Sequence, residues 1–255
     1  MQDKIIRALK ELEVKEQCRI LFAAESGSRA WGFASPDSDY DIRAIYVKPE
    51  AWYWDITEKK RDTIEAQLPE DLDVSAWELR KALRLFNKCN PPLNEWLGSP
   101  IVYYADKEFY EKLKGFIPRF FDPVHAGHHY LAMAENAWKT VDSEGTITLK
   151  KLFYAQRGLL CAMWCAKFRS MPPTEFEKLL PAELISDEML RSIRELRAQK
   201  QQAGEKNAIP VPKTLYDFYM VQREKVRQRL ATFAFPLPDN AVLGELLCRC
   251  MTKYR

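Results

Sequence analysis

Apolar residues recur at helical spacing near the start of the chain, where Ile5, Ile6, Leu9 and Leu12 alternate with charged residues and predict a helix over 3–15. The period then changes. The continuous apolar run Ile20–Ala24, ending at Glu25, reads as a buried strand, and Ile42 to Val47 reads as a second. Weaker strand signals lie at Thr63–Ala66 and Ile101–Tyr104, and Leu72–Ala76 reads as a strand running into a helix from about Trp77 to Asn87. Trp52, Tyr53 and Trp54 are expected on a loop, and Leu93–Leu97 is expected as a short turn after the helix-breaking Asn90-Pro91-Pro92. From about residue 106 the pattern is almost wholly helical, with candidate helices over 106–116, 124–140, 148–169, 187–203, 213–233 and 239–251 and prolines at the joints. The expectation is an α+β chain: a strand-bearing catalytic domain over 1–105, then an all-α domain over 106–255.

Composition narrows this little. The chain has 255 residues, 47% hydrophobic and 29% charged, enough for one large or two modest domains with a full core. A formal net charge of +3 neither demands nor excludes nucleic acid, because a local basic face matters more than the total. No N-terminal segment resembles a signal peptide and no apolar run is long enough to span a membrane, so a cytoplasmic protein is expected. Six cysteines make no dense framework in a chain of this length and read as buried free thiols. His125, His128 and His129 lack the acid placement of a zincin helix.

Candidate chemistry concentrates in Ser26–Val47, SGSRAWGFASPDSDYDIRAIYV. A Gly27-Ser28 turn follows the first strand, and Ser35-Pro36-Asp37 signals a second turn. Asp39 and Asp41 then precede the second strand, and on a strand they would share a face with each other and with Arg43. Two carboxylates that close repel unless a cation lies between them. Mg²⁺ takes one or two protein carboxylates plus substrate phosphates, and a glycine turn lets backbone amides approach an anion. Together these suggest phosphoryl or nucleotidyl transfer.

The pattern GS-x10-D-x-D resembles the signature of the DNA-polymerase-β-like nucleotidyltransferase superfamily, and the fuller string GSRAWGFASPDSDYDIRAIYV resembles its RNA repair pathway polymerase-β branch. That resemblance implies a mixed sheet with a helical C-terminal region and a third metal-ligating carboxylate on a later strand. Asp73 matches best, flanked by apolar Leu72 and Val74, with Asp71 as its alternative. By resemblance, Asp39, Asp41 and Asp73 hold Mg²⁺ or Mn²⁺, and Gly27 and Ser28 cradle the phosphates of an NTP, ATP being expected. Arg29 and Arg43 orient phosphate. The helix from Leu149 carries a family-like Lys151, Tyr154 and Arg157 opposite its apolar face, expected to bind the nucleotide. The resemblance also points to an RNA end as acceptor. Adenylylation of a protein partner or a small molecule is the alternative, and a nucleotide-binding regulator without catalysis is a reading of another class. The basic stretch Gln222–Arg229, with Lys253 and Arg255, could track an RNA backbone or be a solvated helix face.

Overall fold

A computed structural model describes residues 1–35, 38–56, 61–69, 71–203, 207–236 and 238–254, without the side chains of 200–203. The Pro36-Asp37 turn and Arg255 lie outside the described residues. The chain divides into two compact units: Met1–Ala30, Asp39–Phe120 and Leu237–Arg255 form the first, and Trp31–Ser38 and Phe121–Pro236 the second.

The first unit is built on a five-stranded mixed sheet of order β3-β4-β2-β1-β5. Its strands are β1 (Arg19–Glu25), β2 (Tyr40–Val47), β3 (Thr63–Leu68), β4 (Leu72–Glu78) and β5 (Val102–Ala105). β2 and β4 run parallel, and the other neighbours run antiparallel. Alternation along the strands sorts side chains between two cores. On one face, helix α1 (Gln2–Glu16) sets Ile5, Leu9 and Leu12 against a cluster containing Ile42, Ala44, Leu72, Val74 and Ala76. On the other, Leu21, Ile45 and Val47 meet α4 (Leu79–Asn87), α5 (Pro91–Leu97), α6 (Lys107–Phe120) and α11 (Ala241–Lys253).

Three local expectations are corrected. Leu93–Leu97 is not a turn: Asn90 caps α5 by accepting from Leu93 N at 3.0 Å, and Pro91 opens the helix where no amide partner is needed. Residues 50–54 form a short helix, α3 (Glu50–Trp54), in which Tyr53 is buried and donates to Glu78 at 2.6 Å while Trp54 stays exposed. The helix expected from Trp77 begins at Leu79, because Glu78 accepts from Arg80 N and Lys81 N and holds the boundary there.

The second unit is helical around α7 (Pro123–Trp138), α8 (Leu149–Phe168), α9 (Asp187–Ala203) and α10 (Lys213–Leu230). It also carries a two-stranded ladder of β6 (Thr146–Thr148) and β7 (Ala208–Pro210), which the helical pattern had hidden. Gly158 lets α7 and α8 approach closely: a β-carbon there would lie 2.8 Å from Tyr130 O and 2.9 Å from Ala134 N. Phe33 packs edge-on to Phe176 and tilted against Phe153, so both segments of the unit share one aromatic cluster. The units differ from the expected 1–105 and 106–255 division. α6 and α11 belong with the sheet, since Phe109, Leu113, Phe120, Leu243 and Leu246 complete its second core.

Candidate active site

β2 begins at Tyr40, so Asp39 lies one residue before the strand and is exposed. The carboxylates the ladder juxtaposes are instead Asp41 and Asp73, in direct register on neighbouring parallel strands. Two like charges so placed are unfavourable unless something neutralises them. Arg43 supplies the cation: its Nη2 donates to Asp41 Oδ1 and Asp73 Oδ2, each at 2.9 Å, and its Nη1 to the carbonyls of Ile42 and Asp73, each at 3.2 Å. The planar fork makes this four-way arrangement geometrically available to arginine. Arg29 is held close by, Nε donating to Asp39 O at 3.0 Å and the guanidinium stacked 3.8 Å from the Tyr40 ring.

The turn after β1 is fitted to the same carboxylate. Ser26 N donates to Asp41 O at 2.8 Å, and Gly27 adopts φ +60. A β-carbon on Gly27 would overlap the Asp41 side chain, so glycine is required both by backbone conformation and by space. Ser28 follows in the short helix α2 (Gly27–Trp31), largely buried.

The sequence alone marks Glu25 only as the end of β1. It is fully buried, Oε1 accepting from Asp41 N at 2.8 Å and Oε2 from the Tyr103 hydroxyl. Burial raises its pKa above the ordinary glutamate value, against the two donors that favour the charged form. The signal for it was present: an acid closing an otherwise apolar strand, directly before the glycine turn.

The donor chemistry suits a hard divalent cation, since Asp41 and Asp73 offer carboxylate oxygens in register with Asp39 adjoining in sequence. Among the described residues no group of three or more His, Cys, Asp or Glu side chains converges as a metal shell, and the charge between Asp41 and Asp73 is Arg43 itself.

The three α8 residues lie in the second unit. Thr148 caps the helix, accepting from Lys151 N at 3.3 Å, and Lys151 is exposed. Tyr154 is half-buried, edge-on to Trp31 with centroids 5.0 Å apart. Arg157 departs from the expected polar face: it is fully buried, its guanidinium 4.3 Å from the Trp31 ring and Nη2 donating to Thr174 O at 3.3 Å. Ring and carbonyl are among the partners of a charge expected to face a ligand.

The sequence model of the RNA repair pathway DNA polymerase beta family matches residues 1–235, a span that includes Gly27, Asp41, Arg43 and Asp73. The chain belongs to this family. Membership and the mixed sheet identify a polymerase beta-like nucleotidyltransferase, and so a transferase. Among relatives, the uncharacterized protein YcgL of Bacillus subtilis (strain 168) is 42% identical over 205 residues, 80% of this chain and 78% of its own. A nucleotidyltransferase-like protein from Exiguobacterium sibiricum 255-15 has a solved structure that is 12% identical and aligns with 98% of this chain and 80% of its own, with a TM-score of 0.31. No helix among the described residues of this family member is long and apolar enough to cross a membrane.

Proposed function

We propose that the protein transfers NMP from an NTP, ATP being the expected donor, to the hydroxyl of an RNA end, releasing pyrophosphate. The observation that carries this reading is the register of Asp41 with Asp73 beside a glycine whose α-carbon abuts Asp41, in a chain of the polymerase beta family. Asp39, Asp41 and Asp73 would hold Mg²⁺ or Mn²⁺. The chemistry such an ion supplies is neutralisation of triphosphate charge and acidification of the acceptor hydroxyl. The acceptor oxygen attacks the α-phosphorus, the bond to the β-phosphate bridging oxygen breaks, and Asp73 takes the hydroxyl proton. The Gly27-Ser28 turn offers backbone and hydroxyl donors to the leaving phosphates, and Arg29 adds positive charge at the same turn. Arg43 is assigned first to ordering the two carboxylates, and to phosphate only when it lets one of them go. Lys151 and Tyr154 keep their expected part in nucleotide binding, Arg157 acting behind them through Trp31. Lys151→Ala should weaken NTP binding, and unchanged affinity would return Lys151 to an ordinary solvated lysine.

The test is transfer from α-labelled NTPs, with Mg²⁺ or Mn²⁺, to RNA carrying a free 3′ hydroxyl and separately to cell lysate. Asp41→Ala is expected to reduce labelling by more than about a hundredfold while the fold persists. Retained labelling would remove the site. Label on a protein rather than RNA would make protein adenylylation the activity, and bound NTP with no label anywhere would make the protein a regulator.

A further inference from the structure

The basic stretch on α10 sorts into two faces once its contacts are known. Arg227 pairs with Glu135 and Glu224, and Arg223 lies 5.5 Å from the Tyr219 ring, so these two charges are used within the second unit. Lys225 and Arg229, one turn apart, point the other way. With Lys167 of α8 they line an open groove of about 320 Å³ floored by Met163 and Val226. None of the three cations has an ion-pair partner among the described residues, although Glu183 stands on the same rim. Beyond the groove lining, Arg169 and Arg229 both approach one ring, Phe233, at 4.0 and 5.2 Å from its centroid. Three cations against the one acid Glu183 leave the groove lining net positive, which favours an anion as its counterpart.

We propose that this groove binds the backbone of a single-stranded nucleic acid. Lys167, Lys225 and Arg229 receive successive phosphates, the Met163–Val226 floor receives sugar or base, and Arg169, planar over Phe233, extends the cationic track. Positive charge along a track, interleaved with flat apolar and aromatic surface, is how single strands are held without sequence readout. A mononucleotide would leave part of the cationic row unmatched, whereas a strand repeats its charge along the row. The assignment rests on the reading that RNA is the acceptor, and gives it a strand-holding surface on the second unit.

The experiment is fluorescence anisotropy of a short labelled single-stranded RNA on the full chain, across roughly 50 to 200 mM salt. Wild type is compared with Lys167→Gln/Lys225→Gln/Arg229→Gln and with a charge-matched control, Lys88→Gln/Lys107→Gln/Lys139→Gln. The groove variant should bind about tenfold more weakly or worse, with its log–log salt slope shallower by about 2, as loss of three single-strand phosphate contacts implies. The control should lose much less. All three groove cations are exposed, so melting should be unchanged, and Lys225→Gln/Arg229→Gln serves as a milder second variant. Equal affinities and slopes for groove and control variants, or no RNA binding by wild type, would overturn the proposal. Transfer assays run in parallel separate the two readings. A groove variant that binds and labels RNA as wild type does overturns the groove alone. A wild type that binds RNA through the groove yet labels only protein overturns the acceptor alone.

Discussion

One guanidinium, Arg43, serves two carboxylates and two carbonyls on β2 and β4. Its removal leaves Asp41 facing Asp73 without the intervening charge. Arg43→Met is therefore expected to lower stability by about 1 kcal/mol in chelator-treated buffer, a value reduced for the partial exposure of all three side chains. Urea melts with and without Mn²⁺ check this: if a divalent cation takes over the neutralisation, the deficit should shrink when Mn²⁺ is added. Arg43→Lys should recover only part of the wild-type stability, since an ammonium cannot fork to two carboxylates in one plane. At Gly27 the constraint is steric. Gly27→Ala should cost about 1–3 kcal/mol from the positive φ and the collision with Asp41, and should depress NMP transfer more than Ser28→Ala does.

At the scale of elements, α7 and α8 meet where Gly158 lies against the backbone of Tyr130 and Ala134. A methyl there has backbone, not a yielding side chain, in its way. Gly158→Ala should destabilise the second unit by about 1–3 kcal/mol, read as a lowered urea midpoint. How legible these elements were follows from where their signals reside. β1, β2 and β4 were readable because each buries side chains continuously or alternately, and the GS-x10-D-x-D spacing exposed the turn and Asp41 with them. α5 was misread because prolines at a helix start look locally like a break, and the deciding contact, Asn90 to Leu93 N, is a side-chain cap. β6 and β7 were invisible because three-residue strands about sixty positions apart carry no period of their own. The burial of Arg157 was not legible, since it depends on Trp31 and Thr174, which no helical wheel of α8 can show. The strand register, too, is a tertiary fact: sequence named Asp39, Asp41 and Asp73 as a set, while pairing selects Asp41 and Asp73 and inserts Arg43 between them.

For the whole molecule, the instructive segment is the last one. α11 lies beyond the family match at 1–235, yet its Leu243, Leu246 and Cys250 sit in the second core of the sheet. Its far end is tied by Asp106, which accepts from Lys253 at 2.7 Å and Tyr254 at 2.5 Å. Burial opposes ionisation of Asp106, but these donors outweigh it and bring its pKa from 3.8 down to about 2. A carboxylate depressed on folding stabilises above its unfolded value and loses that contribution as pH falls through the folded one. The tether should thus add about 1 kcal/mol above pH about 4 and fade between about 4 and 2. Asp106→Asn should be less stable than wild type at neutral pH and converge with it near pH 2, which urea midpoints across that range will show. The first unit is also assembled from three separate stretches of chain, the last of them Leu237–Arg255. A ribosome making this protein finishes the sheet long before the helix that closes it. The intervening segment Phe121–Pro236 takes about 6–23 s to synthesise at about 5–20 residues per second. Through that interval the nascent nucleotidyltransferase unit leaves uncovered the part of its second core that Leu243, Leu246 and Cys250 close, so the usual order in which N-terminal domains mature first is reversed: the helical unit can be complete while the sheet-bearing one still waits for α11.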